Sequence, residues 1–418
     1  MQLEVIKNAK KNMIFGFINK AILMICPFFT RTVIQIVLGA QYLGLNSLFV
    51  SVLSVLSLSE LGFSSAIVYN MYKPVAENDI ATVNALLAFY RKVYRVIGTA
   101  VMGIGLCLIP ILPKLINGAY PDDINLFSLY LLYLINTSIS YFMFAYKTSI
   151  ITVYQREDIN SIRNSILTVG QTLLQLLVLY WIKSYFVYVL LSPFFTIINN
   201  LWVGLIVKKE FPQYKCEGTI SKDKLVDIKK LVVGSFIQKA CNVTRNSLDS
   251  ICVSTFLGLS MTAVYNNYFY IISSITAVMM IISNSLIGGV GNHIATKSPE
   301  ENFRELKQVD FAYLLLSGWC AICLICLYQP FMELWMGKDM LLPFPAVALF
   351  VIYFYMLKLG DMRTMYSAGS GLWWYQKWRA IGETIANFGL NIVLGKLFGV
   401  YGIISATIIS LLIFNCIW

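Results

Sequence analysis

Residues 234–250, GSFIQKACNVTRNSLDS, place Lys239, Arg245 and Asp249 in a stretch with almost wholly apolar surroundings. On a helix at about 100° per residue, Gln238, Asn242, Arg245 and Asp249 fall within about 60° of one another, with Lys239 and Asn246 flanking. Such a stripe can hold a hydrated anion. Arginine offers a planar fork of donors, lysine a point charge, and the amides both donate and accept. The first apolar stretch has a stripe of its own, made of Lys20, Pro27, Arg31 and Gln35, with Pro27 expected to kink it. Glu60, Lys147, Lys358, Asp361 and Arg363 also stand inside apolar runs. The reading is therefore seven cations against three anions. Pairing accounts for part of this, for example Arg245 with Asp249 or Lys358 with Asp361, but it leaves a positive surplus. Glu60 shares a stripe with Ser57 and Ser64, and it reads either as a charge partner for Lys20 or Arg31 or as an ion-coupling site. Asp249 carries the same two readings.

The elements that position these residues follow from hydropathy. Of 418 residues, 58% are hydrophobic and 13% charged, where a soluble domain carries about 25% charged. Mean hydropathy is +0.70. Runs of about 20 apolar residues, each long enough to span a bilayer, recur near 12–38, 45–71, 93–116, 125–150, 162–182, 185–207, 231–257, 262–288, 309–329, 344–369, 379–397 and 401–418. The fold class expected is an all-α membrane protein of about twelve transmembrane helices. With the N-terminus inside, 21 lysines and arginines fall on cytoplasmic segments and four on outer loops. That bias puts the N-terminus in the cytoplasm of a multi-pass protein. It also accounts for most of the +11 net charge, so nucleic acid is not an expected partner.

Cys320, Cys323 and Cys326 have the spacing of an iron–sulfur run, but they lie in the apolar helix GWCAICLICLY with no fourth ligand close by. They read as packing residues, and no metal or cofactor is expected. The chain holds no G-x-x-x-x-G-K-[ST], H-E-x-x-H or G-x-S-x-G motif. Catalysis is not expected.

The opening stretch has a counterpart. FINKA at 17–21 matches FIQKA at 236–240, Leu38-Gly39 falls on Leu257-Gly258, and Lys10-Lys11 falls on Lys229-Lys230, all at an interval of 219. This predicts two pseudo-symmetric six-helix bundles, 1–207 and 231–418, joined by a charged cytoplasmic linker at 208–230 that includes a short surface helix. An even number of spans separates the copies, so both enter the membrane in the same direction. In transporters of that plan the site lies between the halves.

Several longer segments resemble the Wzx-type polysaccharide flippases of the multidrug/oligosaccharidyl-lipid/polysaccharide exporter superfamily. They are YLGLNSLFVSVLSVLSLSELGFSSAIVYNMYKPVAENDI (42–80), NSLDSICVSTFLGLSMTAVYNNY (246–268), GNHIATKSPEENF (291–303), QPFMELWMGKDMLLP (329–343) and GLWWYQKWRAIGETIANFGLNIVLGKLFGVYGI (371–403). Two departures stand out. Tyr375 occupies a position that is often acidic in the family, and the chain ends at LLIFNCIW without a basic tail, which reads as a truncation.

The resemblance implies a V-shaped pair of bundles in the bacterial cytoplasmic membrane, working by alternating access. It further implies undecaprenyl-pyrophosphate-linked oligosaccharide as the substrate, with a polysaccharide polymerase and glycosyltransferases as partners. On that basis Lys20, Arg31, Lys239 and Arg245 are the expected pyrophosphate contacts. Gln35, Gln238, Asn242 and Asn246 are the expected sugar contacts. A lipid II-type flippase and a multidrug exporter are the alternatives within the superfamily, and a membrane glycosyltransferase is the alternative outside it. Cavity cations oppose the drug-exporter reading. One of them about 8 Å from a cationic drug repels it by about 2 kcal/mol at an effective dielectric of 20.

Overall fold

Glycines with positive φ, helix caps and prolines divide this uniformly apolar chain into helices. A computed structural model describes the backbone of residues 5–60, 63–220, 222–296, 298–369 and 373–417, with side chains for most of them. The helices are α1 (Val5–Val37), α2 (Ala40–Leu56), α3 (Phe63–Ala76), α4 (Ile80–Leu108), α5 (Leu126–Phe142), α6 (Thr148–Val153) and α7 (Glu157–Trp181). They continue as α8 (Tyr185–Glu210), α9 (Lys222–Thr296), α10 (Pro299–Met336), α11 (Phe344–Lys358), α12 (Asp361–Gly369) and α13 (Trp373–Leu411). A π-helical turn, Leu412–Ile417, follows. There is no strand among the described residues.

Eight described helices are long and apolar enough to cross a membrane, and the bent pair from Leu126 to Val153 makes a ninth. Gly258 and Gly399 leave helical geometry inside α9 and α13, so each of these is two helices end to end. With the short apolar α2, the described residues hold the twelve spans that hydropathy predicts. Large apolar side chains such as Leu334, Ile36 and Trp181 lie open on the outside, at 87%, 76% and 76% exposure. That is the surface of a chain whose solvent is lipid. It is a multi-pass membrane protein.

Contacts divide the chain into two compact units. The first runs to Tyr42 and takes in Val52–Pro113 and Pro121–Lys239, and the second comprises Leu43–Ser51, Lys114–Tyr120 and the chain from Ala240 onward. The linker is shorter than the sequence suggests. Its second half is not a separate surface helix, because α9 begins at Lys222 and runs unbroken into the seventh span.

The two halves of the sequence repeat one backbone plan. Gly39 (φ 103°, ψ 174°) and Gly258 (φ 85°, ψ 178°) make the same break 219 residues apart. Asp79 caps α4 by accepting from Thr82 N, and Ser298, again 219 further on, caps α10 by accepting from Glu301 N. Gly118 and Gly337 share φ near 86° at that interval. From the starts of α7 at Glu157 and α13 at Trp373 the interval is 216. It stays so to the next break, at Lys183 (φ 53°) and Gly399 (φ 60°). On this register Arg163, Thr168, Gln171 and Gln175 fall on Arg379, Thr384, Asn387 and Asn391, and Tyr185 and Asn199 fall on Tyr401 and Asn415. The duplication therefore extends through all six spans.

Inside the second unit, the break at Gly258 is a close crossing. Asn117 donates its backbone N–H to Ser254 O (3.1 Å) and its amide to Phe256 O (2.6 Å), which satisfies carbonyls that the broken helix would orphan. A Cβ on Gly258 would stand 2.7 Å from Asn117 O, and one on Gly44 would stand 1.9 Å from Leu259 O. Gly258→Ala also places an L-residue at φ 85°, which costs about 1–2 kcal/mol before the clash is counted. Both G258A and G44A should lower the melting temperature of the detergent-purified protein by several degrees. Unchanged melting of both would show that the crossing is not close-packed.

Candidate functional site

The predicted polar residues separate by unit and by burial. In the first unit, α1 carries Lys20 exposed, Arg31 half-buried and Gln35 half-buried with its Oε1 lacking a partner. Arg31 lies within electrostatic range of the Tyr185 and Tyr188 hydroxyls at the start of α8. Lys239 closes this unit, exposed, and donates from Nζ to Ser65 Oγ at 3.3 Å. The side chains of Gln238 and Glu60 lie outside the described residues.

In the second unit the stripe on α9 splits along its length. Asn242 and Asn246 are exposed, while Arg245 and Asp249 are 6% and 2% exposed. The helix accounts for part of this, since Arg245 and Asp249 lie within the 60° arc while Asn246 and Lys239 flank it on the side of Asn242. The edge that turns inward meets polar partners from α13. Arg245 is not a free cation for phosphate, because its Nη1 donates to Glu383 Oε1 in a buried ion pair. The count of seven cations against three anions is corrected accordingly. Glu383, within the 379–397 run, is a fourth anion inside the spans. Lys358 is likewise paired, with Asp361 at 2.7 Å, and Tyr313 OH donates to the same carboxylate at 2.7 Å.

Asp249 does not pair directly with Arg245 and is held by neutral donors. Asn391 Nδ2 donates to Oδ1 at 2.5 Å, and Thr407 Oγ1 and Tyr265 OH donate to Oδ2 at 2.9 and 3.4 Å. Asn391 is also hydrogen-bonded to Asn387 (3.2 Å), whose amide reaches Thr407 Oγ1 (2.9 Å). Asn391 Oδ1 is buried with no partner. A carboxylate, two amide oxygens and a hydroxyl form the hard-oxygen set that suits a proton or a small hard cation. No group of three or more His, Cys, Asp or Glu side chains is placed to hold a metal among the described residues.

The first unit carries the neutral counterpart of this cluster. At the repeat interval Asp249 corresponds to Thr30, and Asn387 and Asn391 to Gln171 and Gln175. Both glutamines donate to Ser192 Oγ, at 3.2 and 3.3 Å. The duplicated frame is thus charged in one unit and uncharged in the other. Hydropathy missed Glu383, Asn387, Asn391 and Thr407. The signal that could have found them is W-R-x-x-x-x-T-x-x-N-x-x-x-N at 378–391 set against I-R-x-x-x-x-T-x-x-Q-x-x-x-Q at 162–175.

No protein-family model matches the chain, and no curated protein sequence is significantly similar. Solved structures are. The lipid II flippase MurJ in its inward closed conformation superposes with a TM-score of 0.73 at 15% identity, over 97% of this chain and 85% of that one. An inward-facing multidrug resistance MATE family transporter of the MOP superfamily gives 0.71 at 13% identity, over 93% and 92%. A MOP superfamily transporter from Pyrococcus furiosus, described by the reverse polarity of its binding pocket, gives 0.65 at 10%, over 98% and 93%. The fold is that of the MOP superfamily transporters.

The ion pair makes a prediction. Arg245→Ala leaves Glu383 buried and uncompensated, a change that costs about 3–5 kcal/mol. It should lower the melting temperature sharply, and R245M/E383L should recover most of the loss. Melting of R245A at the wild-type temperature would mean that the pair is not formed.

Proposed function

We propose that the chain is a flippase carrying undecaprenyl-pyrophosphate-linked oligosaccharide repeat units from the inner to the outer leaflet of the bacterial cytoplasmic membrane. Working by alternating access, it supplies capsule, O-antigen or exopolysaccharide assembly, with glycosyltransferases upstream and a polymerase downstream. One observation carries the reading. The buried cations Arg245 and Lys358 have carboxylate partners, whereas Lys20 and Lys239, on spanning helices, stay exposed. A charge at mid-bilayer costs about 2.5–3.5 kcal/mol even on the mild insertion scales, so exposed cations belong where water reaches.

The substrate chemistry matches that placement. A pyrophosphate left bare in hydrocarbon costs tens of kcal/mol. A hydrated path lined by Lys20, Arg31 and Lys239 offsets this cost while the prenyl tail stays in lipid. Gln35, Asn242 and Asn246 supply the amide groups that sugars accept from and donate to. The membrane potential helps the anion outward by about 2.3 kcal/mol per charge per 100 mV. Asp249 and its amide and hydroxyl partners provide a second source of drive, exchanging a proton or hard cation from inside the second unit.

The likeness to a lipid II flippase favours one runner-up, a lipid II-type substrate on the same anchor. The same fold is found in a protein described by reversed pocket polarity, so the fold alone does not choose between anionic and cationic cargo.

The test is surface display. In cells that depend on this chain for export, K20A/K239A should reduce surface polysaccharide at least several-fold while membrane levels of the protein stay normal. Asp249→Asn should remove the ion or pH dependence of flipping in proteoliposomes. Full display by K20A/K239A would discard the cationic path.

A further inference from the structure

A second set of cations recurs at the repeat interval, and the reading above does not use it. Lys147, Arg163 and Asn199 of the first unit fall, 216 residues on, on Arg363, Arg379 and Asn415 of the second. The first member of each trio follows an interruption in the fourth span: Lys147 after the 49° bend that ends α5, Arg363 after the junction of α11 and α12. The second member is on the fifth span and the third on the sixth.

In the second unit the trio converges. Arg379 Nη1 donates to Asn415 Oδ1, and at 3.4 Å to Phe414 O. Arg363 Nη2 donates to the backbone oxygen of the same Asn415, and at 3.2 Å to Leu359 O. Gly360 makes the approach possible, since a Cβ there would meet Asn415 Cγ at 3.2 Å. The π-helical turn, a form of helix often found at functional sites, presents Asn415.

Two guanidinium groups therefore end on one asparagine, and all four of these acceptors are neutral. Neither arginine makes an ion pair with a carboxylate among the described residues. Asp310 and Glu383 are within electrostatic range, but Glu383 is committed to Arg245. Among the described residues one positive charge is left uncompensated. Arg363 is exposed and Arg379 half-buried, and a guanidinium has five N–H donors, more than either uses on the described residues. Both residues lie about 10 Å along their helices from the 370–372 connection, which the basic-residue bias places at the inner face.

In the first unit the arginine of the trio is buried and Lys147 is half-buried. Arg163 is 4% exposed with Nε and Nη1 lacking partners, Asn199 Oδ1 lacks one too, and Lys147 sits 4.9 Å over the Phe144 ring. The retained trio belongs to the repeat, and only the second unit presents it openly.

We propose that Arg363 and Arg379, oriented by Asn415, form a receptor for the phosphoryl group of a lipid head at the inner end of the second unit. Its ligand is the pyrophosphate of the incoming lipid-linked substrate. Arginine pairs are suited to this because their forks match phosphate oxygens bidentately. This deepens the proposed function and rests on it.

The experiment measures binding to the full chain in nanodiscs of zwitterionic lipid, with three probes: undecaprenyl pyrophosphate, phosphatidylglycerol and free inorganic pyrophosphate. R363Q/R379Q should weaken undecaprenyl pyrophosphate binding on the order of tenfold or more, the loss of about one charge-assisted hydrogen bond. R363K/R379K should retain part of it, and Asn415→Ala should bind with both arginines released. Free pyrophosphate should bind far more weakly than the lipid form. Equal binding of undecaprenyl pyrophosphate by wild type and both double variants would overturn the receptor. Loss of phosphatidylglycerol binding alone, in a protein that never binds undecaprenyl pyrophosphate, would keep an anionic-lipid receptor and overturn the substrate reading instead.

Discussion

A bilayer offers no partner for a charge or a freed backbone carbonyl, so each must be satisfied within the bundle or placed where water enters. The buried Arg245–Glu383 pair and the neutral cradle around Asp249 are this rule applied to side chains. Asn117, donating to Ser254 O and Phe256 O beside the broken helix at Gly258, is the same rule applied to backbone. The closeness of these crossings then demands glycine at 44 and 258, because any Cβ would enter the space of a neighbouring carbonyl.

Duplication supplied the frame, and divergence within it supplied the chemistry. The two units keep their breaks, caps and several polar positions at intervals of 219 and then 216 residues. Against that constancy, Asp249 stands where the first half has Thr30, and Asn387 and Asn391 stand where it has Gln171 and Gln175, a change of charge and side-chain length at a fixed register. Asn391 donates to the Asp249 carboxylate, whereas Gln171 and Gln175 donate to the Ser192 hydroxyl.

The charges sort into two classes that composition alone does not separate. Arg245 and Lys358 are held by carboxylates and contribute to the integrity of the second unit. Lys20 and Lys239 are exposed, and Arg363 and Arg379 rest on neutral oxygens. Only the second class keeps donors available for an anion. The electropositive character that matters is the part left after internal pairing, and it is smaller than the in-span count suggests.

Hydropathy by itself determined the twelve spans, because crossing lipid requires about 20 apolar residues each time, and FINKA with FIQKA exposed the start of the duplication. Helical periodicity also grouped Gln238, Asn242, Arg245 and Asp249 on one arc, with Lys239 and Asn246 flanking. It could not say where the boundary of the buried face cuts that arc, nor that Glu383, 138 residues away, would take Arg245. Those outcomes depend on how α13 packs against α9, and a long-range pairing leaves no local period in the chain. Only the tertiary structure decided which cations are held by a buried carboxylate and which stay exposed or rest on neutral oxygens.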